Sequence, residues 1–566
     1  MWSLSVAGQT GDFALRISGD SALNTALTKN TAKTQAEAQK IFTDYLANLY
    51  ALGYIGASID SITTDTVQKT ITARLYTGEK FTWARLKPGN ANEAMLSKIR
   101  FREKLYRDEP LNLNRINRLI NRVLTYYENN GHPFARLKLD SFNMSQGKAE
   151  AVLNIDPGKR IKIDSIHILS EDNFPETFIF NYIGIKKGQL YNERLINEIP
   201  TRLDELPFAS QIKSPEILFT EEKTILTLTL ERQKANSIDG ILGFQPQEED
   251  EAETILTGEV DAGFRNALGA GELVALEWRR LQSDVLTADI QVEFPYIFGT
   301  RFGLQADLNL YRLDTSFINI NQRLGIQYYF KGDRRITGFI QRNSTNLIST
   351  RPFRDATVLP ENADVRFISY GLNYQTVNVD YKFNPTRGFD FMLEASTGTK
   401  TIRENPGLEN IRYDTMQLSS SQYSGRLNAN HYLRFSRRLV WNNKLQGGFM
   451  FNQNLFRNEL FRIGGLHTLR GFDEESIFVS TYLIHKTELR FILEKNSFVY
   501  AFFNGAWYER ALTTEYVRDT PYGFGAGVTF EPAAGIFSIN YALGKQFDNP
   551  IDFGAGKIHF GFANFF

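Results

Sequence analysis

Arg301-Phe302-Gly303-Leu304-Gln305-Ala306-Asp307-Leu308-Asn309-Leu310-Tyr311 decides how the second half of this chain is read. Phe302, Leu304, Ala306, Leu308 and Leu310 take every second position, and Gly303, Gln305, Asp307 and Asn309 fall between them. A period of two belongs to a β-strand with one apolar and one polar face. Leu439, Trp441, Leu445, Gly447 and Phe449 repeat it with one interruption at Asn443. Phe537, Ile539, Tyr541 and Leu543 repeat it again, as do Ile558, Phe560 and Phe562. From about residue 236 onward helical stripes are missing, and turn signals separate one such segment from the next.

Composition narrows the kind of sheet. The 566 residues include 44 Phe, 25 Tyr, 5 Trp and 42 Gly, yet 23% are charged and the mean hydropathy is −0.32. No apolar run approaches the length of about 20 residues that a membrane helix needs. The aromatics exclude a disordered chain. A transmembrane antiparallel β-barrel accommodates both facts, because its strands alternate lipid-facing and lumen-facing residues. On this reading the aromatics face lipid, with glycines and charges turned elsewhere. Residues 236–566 leave room for roughly 16 strands of about 9–11 residues, with 14 or 18 as alternatives set by loop length. A soluble β-sandwich is the competing architecture; it calls for smaller, Val/Ile-rich strands and two buried inner faces. Phe294, Tyr296 and Phe298 at a strand end suit the aromatic girdle of a membrane barrel.

The first 235 residues read differently. Ile116, Leu119, Ile120, Val123 and Tyr127 form the apolar stripe of a helix over about 113–127, with Gly131 as its stop. Ile41, Tyr45, Leu46 and Leu49 mark a second helix ending before Gly53. Leu195, Ile199, Leu203 and Leu206 mark a third ending before Pro207. Similar phrases follow each helix: Gly53-Tyr54-Ile55-Gly56-Ala57, Gly131-His132-Pro133-Phe134-Ala135 and Leu206-Pro207-Phe208-Ala209. The recurrence, at about 75–80 residues, predicts three tandem α+β units over 1–80, 81–160 and 161–235. One larger α/β domain is the alternative, but it gives no reason for phrases to recur at one period.

Charge and motif content exclude much else. Lys+Arg and Asp+Glu are both 64, so no bulk attraction to nucleic acid follows. There is no Cys and only six His, which removes disulfides and makes zinc chemistry improbable. His-Glu-x-x-His, Gly-x-Ser-x-Gly and Walker signatures are missing, and Gly554-Ala555-Gly556-Lys557 lacks the leading Gly and the Ser/Thr of a phosphate loop. No enzyme activity, metal or cofactor is expected. Met1–Asp20 has neither the basic start nor the apolar core of a signal peptide, so an exported chain of this sequence would be a mature form.

Several phrases then carry a family resemblance. Asn266-Ala267-Leu268-Gly269-Ala270-Gly271-Glu272, Phe294-Pro295-Tyr296-Ile297-Phe298-Gly299, Gly464-Gly465 with Leu469-Arg470-Gly471-Phe472, Thr487-Glu488-Leu489-Arg490-Phe491 and Phe502-Phe503-Asn504-Gly505 occur in that order. Together they resemble the BamA/TamA superfamily of outer-membrane assembly barrels. The upstream repeats resemble polypeptide-transport-associated (POTRA) domains, and three of them before one barrel resemble the TamA-like layout. The resemblance implies a loop, around 452–478, that folds back into the lumen and is anchored through Arg470, Gly471, Phe472, Gly464 and Gly465 to Glu488 and Asn504 on the wall. The family commonly has Asp where this chain has Asn504. A neutral acceptor forms roughly half as strong a bond as a charged one, so the anchor is expected to rest on Arg470–Glu488.

The implied setting is a Gram-negative outer membrane, with the N-terminal domains in the periplasm. The implied partners are unfolded outer-membrane or secreted clients, the bilayer, and accessory periplasmic or inner-membrane proteins. A strand edge is a row of unpaired N–H and C=O groups. The seam between the first strand, with Gly240 and Gly243, and the last, with Phe560, Gly561, Phe562 and Phe566, is therefore where a client strand is expected to add. A TpsB-like two-partner secretion pore, which usually has two POTRA domains, and a passive porin or receptor are the alternatives.

Overall fold

The computed structural model describes residues 12–19, 27, 29–247, 250–282, 285–381, 384–532, 536–551 and 553–563. Phe566 lies outside them. The chain divides into two compact units. One is Met1–Ser165 with Lys187–Ile196 and Phe219–Thr224; the other is Ile166–Lys186 with Asn197–Leu218 and Ile225–Phe566.

Three small sheets, each with helices, occupy the N-terminal part. The first orders its strands Thr31–Ala32, Phe13–Gly19, Thr70–Tyr76 and Ser58–Asp65, with helix Gln35–Ala51. Thr34 caps that helix by accepting the Glu37 N–H at 3.1 Å. The second places Lys148–Asp156 between Thr82–Lys87, parallel to it, and Arg136–Ser145, antiparallel. Its helix, Leu113–Glu128, starts at an Asn112 cap and buries Ile116, Leu119 and Val123, which pack with Trp83, Leu86, Ala151 and Leu153 from the sheet. The third sheet orders Ser165–Leu169, Thr224–Arg232 and Ala209–Phe219, with helices Glu176–Ile183 and Glu193–Asp204.

Between residues 237 and 563 the described strands, apart from a short two-stranded ribbon, form one antiparallel sheet in which each strand pairs with the next in the sheet. It runs from Ser237–Gln247 to Lys557–Ala563. Two of its segments, Tyr516–Asp519 and Tyr522–Phe530, pair with successive parts of Ser497–Ala511. They are one strand interrupted at Thr520-Pro521, where proline has no N–H to give the ladder. Counted so, the wall has sixteen strands among the described residues, the number the sequence left room for. On the fifth strand, Phe302–Leu313, the side chains of Phe302, Leu304 and Leu308 are exposed, while Gly303 and Tyr311 are buried. On the eighth, Val365–Val379, Ile368, Tyr370 and Leu372 are exposed and Phe367 and Ser369 buried. Contiguous apolar surface of this extent is tolerated in lipid and not in water.

Two expectations about aromatics need correction. Tyr296 is not a girdle residue. It is buried at 4% exposure, with its ring 5.4 Å from Phe178 of the third sheet's helix and 4.8 Å from Tyr329; Phe298 is the ring left outside. Nor do all barrel aromatics face lipid. Phe498, Tyr500 and Phe502 lie on the buried face of the thirteenth strand, Ser497–Ala511, and it is Val499 and Phe503 that are exposed.

Leu119→Ala is expected to destabilise the second α+β domain by about 2–5 kcal/mol through the cavity it leaves. Loss of helical circular dichroism at a lower temperature, with the barrel's heat-resistant gel mobility unchanged, is the measurement.

Candidate functional site

The segment between the eleventh strand, Leu439–Phe451, and the twelfth, Thr481–Glu494, is the lumen loop. Its arms pair as a short ribbon, Phe461–Ile463 with Ile477–Val479. Between the arms the chain turns at Gly464 and Gly465, with φ of 118° and 88°. A side chain at Gly464 would strike the Asp473 carbonyl, and one at Gly465 the Glu474 carboxylate. Thr468 Oγ1 accepts the Gly464 N–H at 2.7 Å, and the Gly465 N–H donates to the Leu469 carbonyl at 3.0 Å. This compact turn projects Arg470.

Arg470 is buried against the inward face of the wall. Its Nη1 lies 2.9 Å from Glu488 Oε1, and its Nη2 donates to Asn504 Oδ1 at 2.9 Å. The guanidinium sits 3.7 Å above the centre of the Phe502 ring, a favourable cation–π geometry. Lys486, Glu488 and Arg490 alternate with the exposed Leu489 and Phe491, and this period of two presents the carboxylate inward. The other oxygen of Glu488 accepts from Arg490 Nε at 2.9 Å and Nη2 at 2.7 Å. Arg490 lies over the Phe498 ring at 4.9 Å. The three inward rings, with centres 5.6 and 6.1 Å apart, thus carry an arginine at each end.

The backbone of the turn also touches the wall. Gly471 has φ of 98°, and a Cβ there would meet Gly544 N at 2.8 Å. A methyl at Gly523 would land on the Arg470 carbonyl oxygen, and one at Gly544 on the Gly471 carbonyl oxygen. The fourteenth and fifteenth strands are thinned to glycine where the loop presses on them. Lys486 Nζ donates to the His467 carbonyl at 2.6 Å, and Lys557 Nζ of the last strand lies 2.7 Å from Asp473 Oδ1.

The structure therefore brings Arg470, Gly471, Phe472, Gly464, Gly465, Glu488 and Asn504 into one cluster. It does not join the two groups of seam residues. Gly240 and Gly243 pair with Val260 and Thr257 of the second strand, and Phe560, Gly561 and Phe562 pair with Ile539, Ser538 and Phe537 of the fifteenth. Among the described residues the first and last strands have no pairing with each other. Sequence reasoning missed Arg490, although its spacing of two from Glu488 on an alternating strand was a sufficient signal. It also missed Phe502, Gly523 and Gly544.

A family model, the Omp85 superfamily domain, matches residues 266–566. Among solved structures, CdiB from Escherichia coli is 16% identical at a TM-score of 0.52, over 93% of this chain and 97% of that one. CdiB from Acinetobacter baumannii is 11% identical at 0.49, over 84% and 88%. BamA from Haemophilus ducreyi lacking POTRA domains 1-3 is 14% identical at 0.43, over 84% and 99%. At these identities the likeness is one of fold, and the E. coli CdiB match carries it. Comparison with curated proteins gives no match.

Asn504→Asp is expected to stabilise the seated loop by about 1 kcal/mol, because Arg470 gains a second charged acceptor and the Asn504 Nδ2 has no partner to lose. Arg470→Ala is expected to release the loop at a cost of about 3 kcal/mol, the penalty for breaking one side of a buried pair. Protease cleavage within 464–476 in intact cells reads both, slower for the first and faster for the second.

Proposed function

Because the chain belongs to the Omp85 superfamily, we propose that it is an outer-membrane factor that receives unfolded client proteins at its POTRA-like domains and inserts or translocates them at the seam between its first and last strands. The observation that carries this reading is the pair of wall edges. Among the described residues, Ser237–Gln247 pairs only with the second strand and Lys557–Ala563 only with the fifteenth. In hydrocarbon each unpaired backbone group costs several kcal/mol. A client strand that adds to such an edge satisfies its own backbone and that of the barrel in one step.

The seated loop supports the same route. With Arg470, Phe472 and the turn packed against the inward wall, the interior is furnished with protein and is unlike the open lumen of a passive porin. Transfer needs no bond-making chemistry and no cofactor. The barrel works in the bacterial outer membrane, and the α+β domains work in the periplasm. Accessory proteins would engage those domains, whose sheets offer further edges. The two-partner secretion reading shares the barrel and the loop and differs in the clients served and in its usual count of two POTRA domains.

The chain has no cysteine, so a disulfide engineered between one Cys in Ile238–Phe244 and one in Lys557–Phe562 has no native thiol to compete with it. Oxidised cells are expected to stop inserting or exporting clients and to recover with reductant; undiminished transfer through a locked seam rejects the lateral route. Depletion followed by outer-membrane proteomics separates the two uses. Broad loss of barrels identifies an assembly factor, and loss of one exported protein identifies a dedicated secretion pore.

A further inference from the structure

The helix Leu113–Glu128 buries Ile116, Leu119 and Val123 and leaves its other face to solvent. Arg118, Asn121 and Arg122 are exposed there, and the helix carries no acid before Glu128. Asn121, Arg122 and Tyr126 line a groove of about 670 Å³ together with Lys98, Arg100 and Arg194. A second depression of about 540 Å³ shares Asn121 and Arg122 and extends the groove to Arg118. All of these residues belong to the first compact unit. Residues 98–122 hold eight Lys/Arg against three Asp/Glu in a chain whose net charge is zero.

Internal contacts use only part of this charge. Arg115 is committed: it pairs with Glu109 at 3.2 Å, donates to the Leu105 carbonyl at 2.7 Å and lies 4.8 Å over Tyr106. Arg122 donates one N–H to the Ile99 carbonyl at 3.2 Å, which fixes it at the groove edge. Lys98, Arg100 and Arg118 are exposed and have no acidic partner among the described residues. Arg100 also holds φ at 57°, where a non-glycine residue costs about 1–2 kcal/mol. It follows the helix Glu93–Lys98, at a place where glycine is the cheaper residue. A strained arginine at the rim of a cationic groove marks a candidate functional position.

We propose that this groove binds the acidic stretch of an extended polypeptide client, an inference that rests on the client-receiving role given above. Guanidinium groups match carboxylates with two parallel bonds. Asn121 adds an amide, which both donates and accepts as a peptide group does. From Arg118 to Asn129 the helix rises about 16 Å at 1.5 Å per residue, the span of about five residues of extended chain. A single lipid phosphate would occupy only one end of such a strip.

The test uses the full chain in detergent micelles and a fluorescent peptide with Asp at alternate positions, alongside the same peptide with Asn in place of Asp. The acidic peptide is expected to bind and its Asn analogue to bind poorly. The double variant Lys98→Glu/Arg118→Glu is expected to weaken binding by about tenfold at low salt, an effect that about 1 M salt erases. Lys98→Gln/Arg118→Gln, which removes charge without reversing it, is expected to fall between. Equal binding of both peptides, or of wild type and both variants, overturns the proposal. So does binding of short-chain phosphatidylglycerol, lost in the same variants, when the acidic peptide does not bind; the groove then serves a lipid headgroup. Depletion that leaves every client in place, with peptide binding intact, sinks the client-transfer reading and not the groove. Charge-insensitive binding in a chain whose depletion does remove clients sinks the groove alone.

Discussion

Glu488 takes a guanidinium on each of its oxygens, Arg470 from the loop on one and Arg490 from its own strand on the other. Burying a carboxylate costs several kcal/mol unless it is paired and hydrogen-bonded. Here the cost is offset from both sides, and the arginines lie over aromatic rings that shield them in turn. Without the wall carboxylate, Arg470 would be a buried cation facing a neutral amide. Without the loop arginine, Glu488 and Arg490 would form a local pair with no reason to involve the loop. The pairing turns a long connection and a curved sheet into one packed object.

How much of this could be read from residues depends on what alternation can say. A period of two states which residues share a face; it does not state which face looks inward. The segment 302–310 settles the matter by chemistry, because Asp307 and Asn309 cannot face lipid. Phe498, Tyr500 and Phe502 alternate with Val499, Ala501 and Phe503, so within these six residues neither face is charged, and the inward side is marked by Asn504 on the same face and by the arginines over the rings. Tyr296 was misjudged for a related reason. An aromatic beside a proline turn looks the same whether it meets lipid or Phe178 of a domain about a hundred residues earlier. The helix over 113–128 was legible because an amphipathic stripe carries its own direction, and the strand number was legible only as roughly sixteen, because chain length bounds it while loop length does not show in an alternation.

Zero net charge conceals a segregated molecule. The N-terminal part concentrates cations along one groove, with Lys98, Arg100 and Arg118 exposed there, while the barrel spends many of its charges in internal pairs such as Arg323–Glu394 at 2.8 Å and Arg335–Glu293 at 3.2 Å. Charges facing the interior are spent on fixing geometry, and several in the groove are left facing solvent. The same residue types thus serve different ends, and the bulk count of 64 against 64 reports neither.

The thinning of the wall at Gly523 and Gly544 makes the seat of the loop depend on strands that follow it in the chain. The carbonyl oxygens of Arg470 and Gly471 fill the space above those two positions, so a side chain at either would collide with the turn. The loop precedes those strands in the chain, so the surface that receives it is completed only by residues that come later. A seated turn therefore requires the fourteenth and fifteenth strands to be in place, and a variant that enlarges either glycine unseats the turn from the side of the wall.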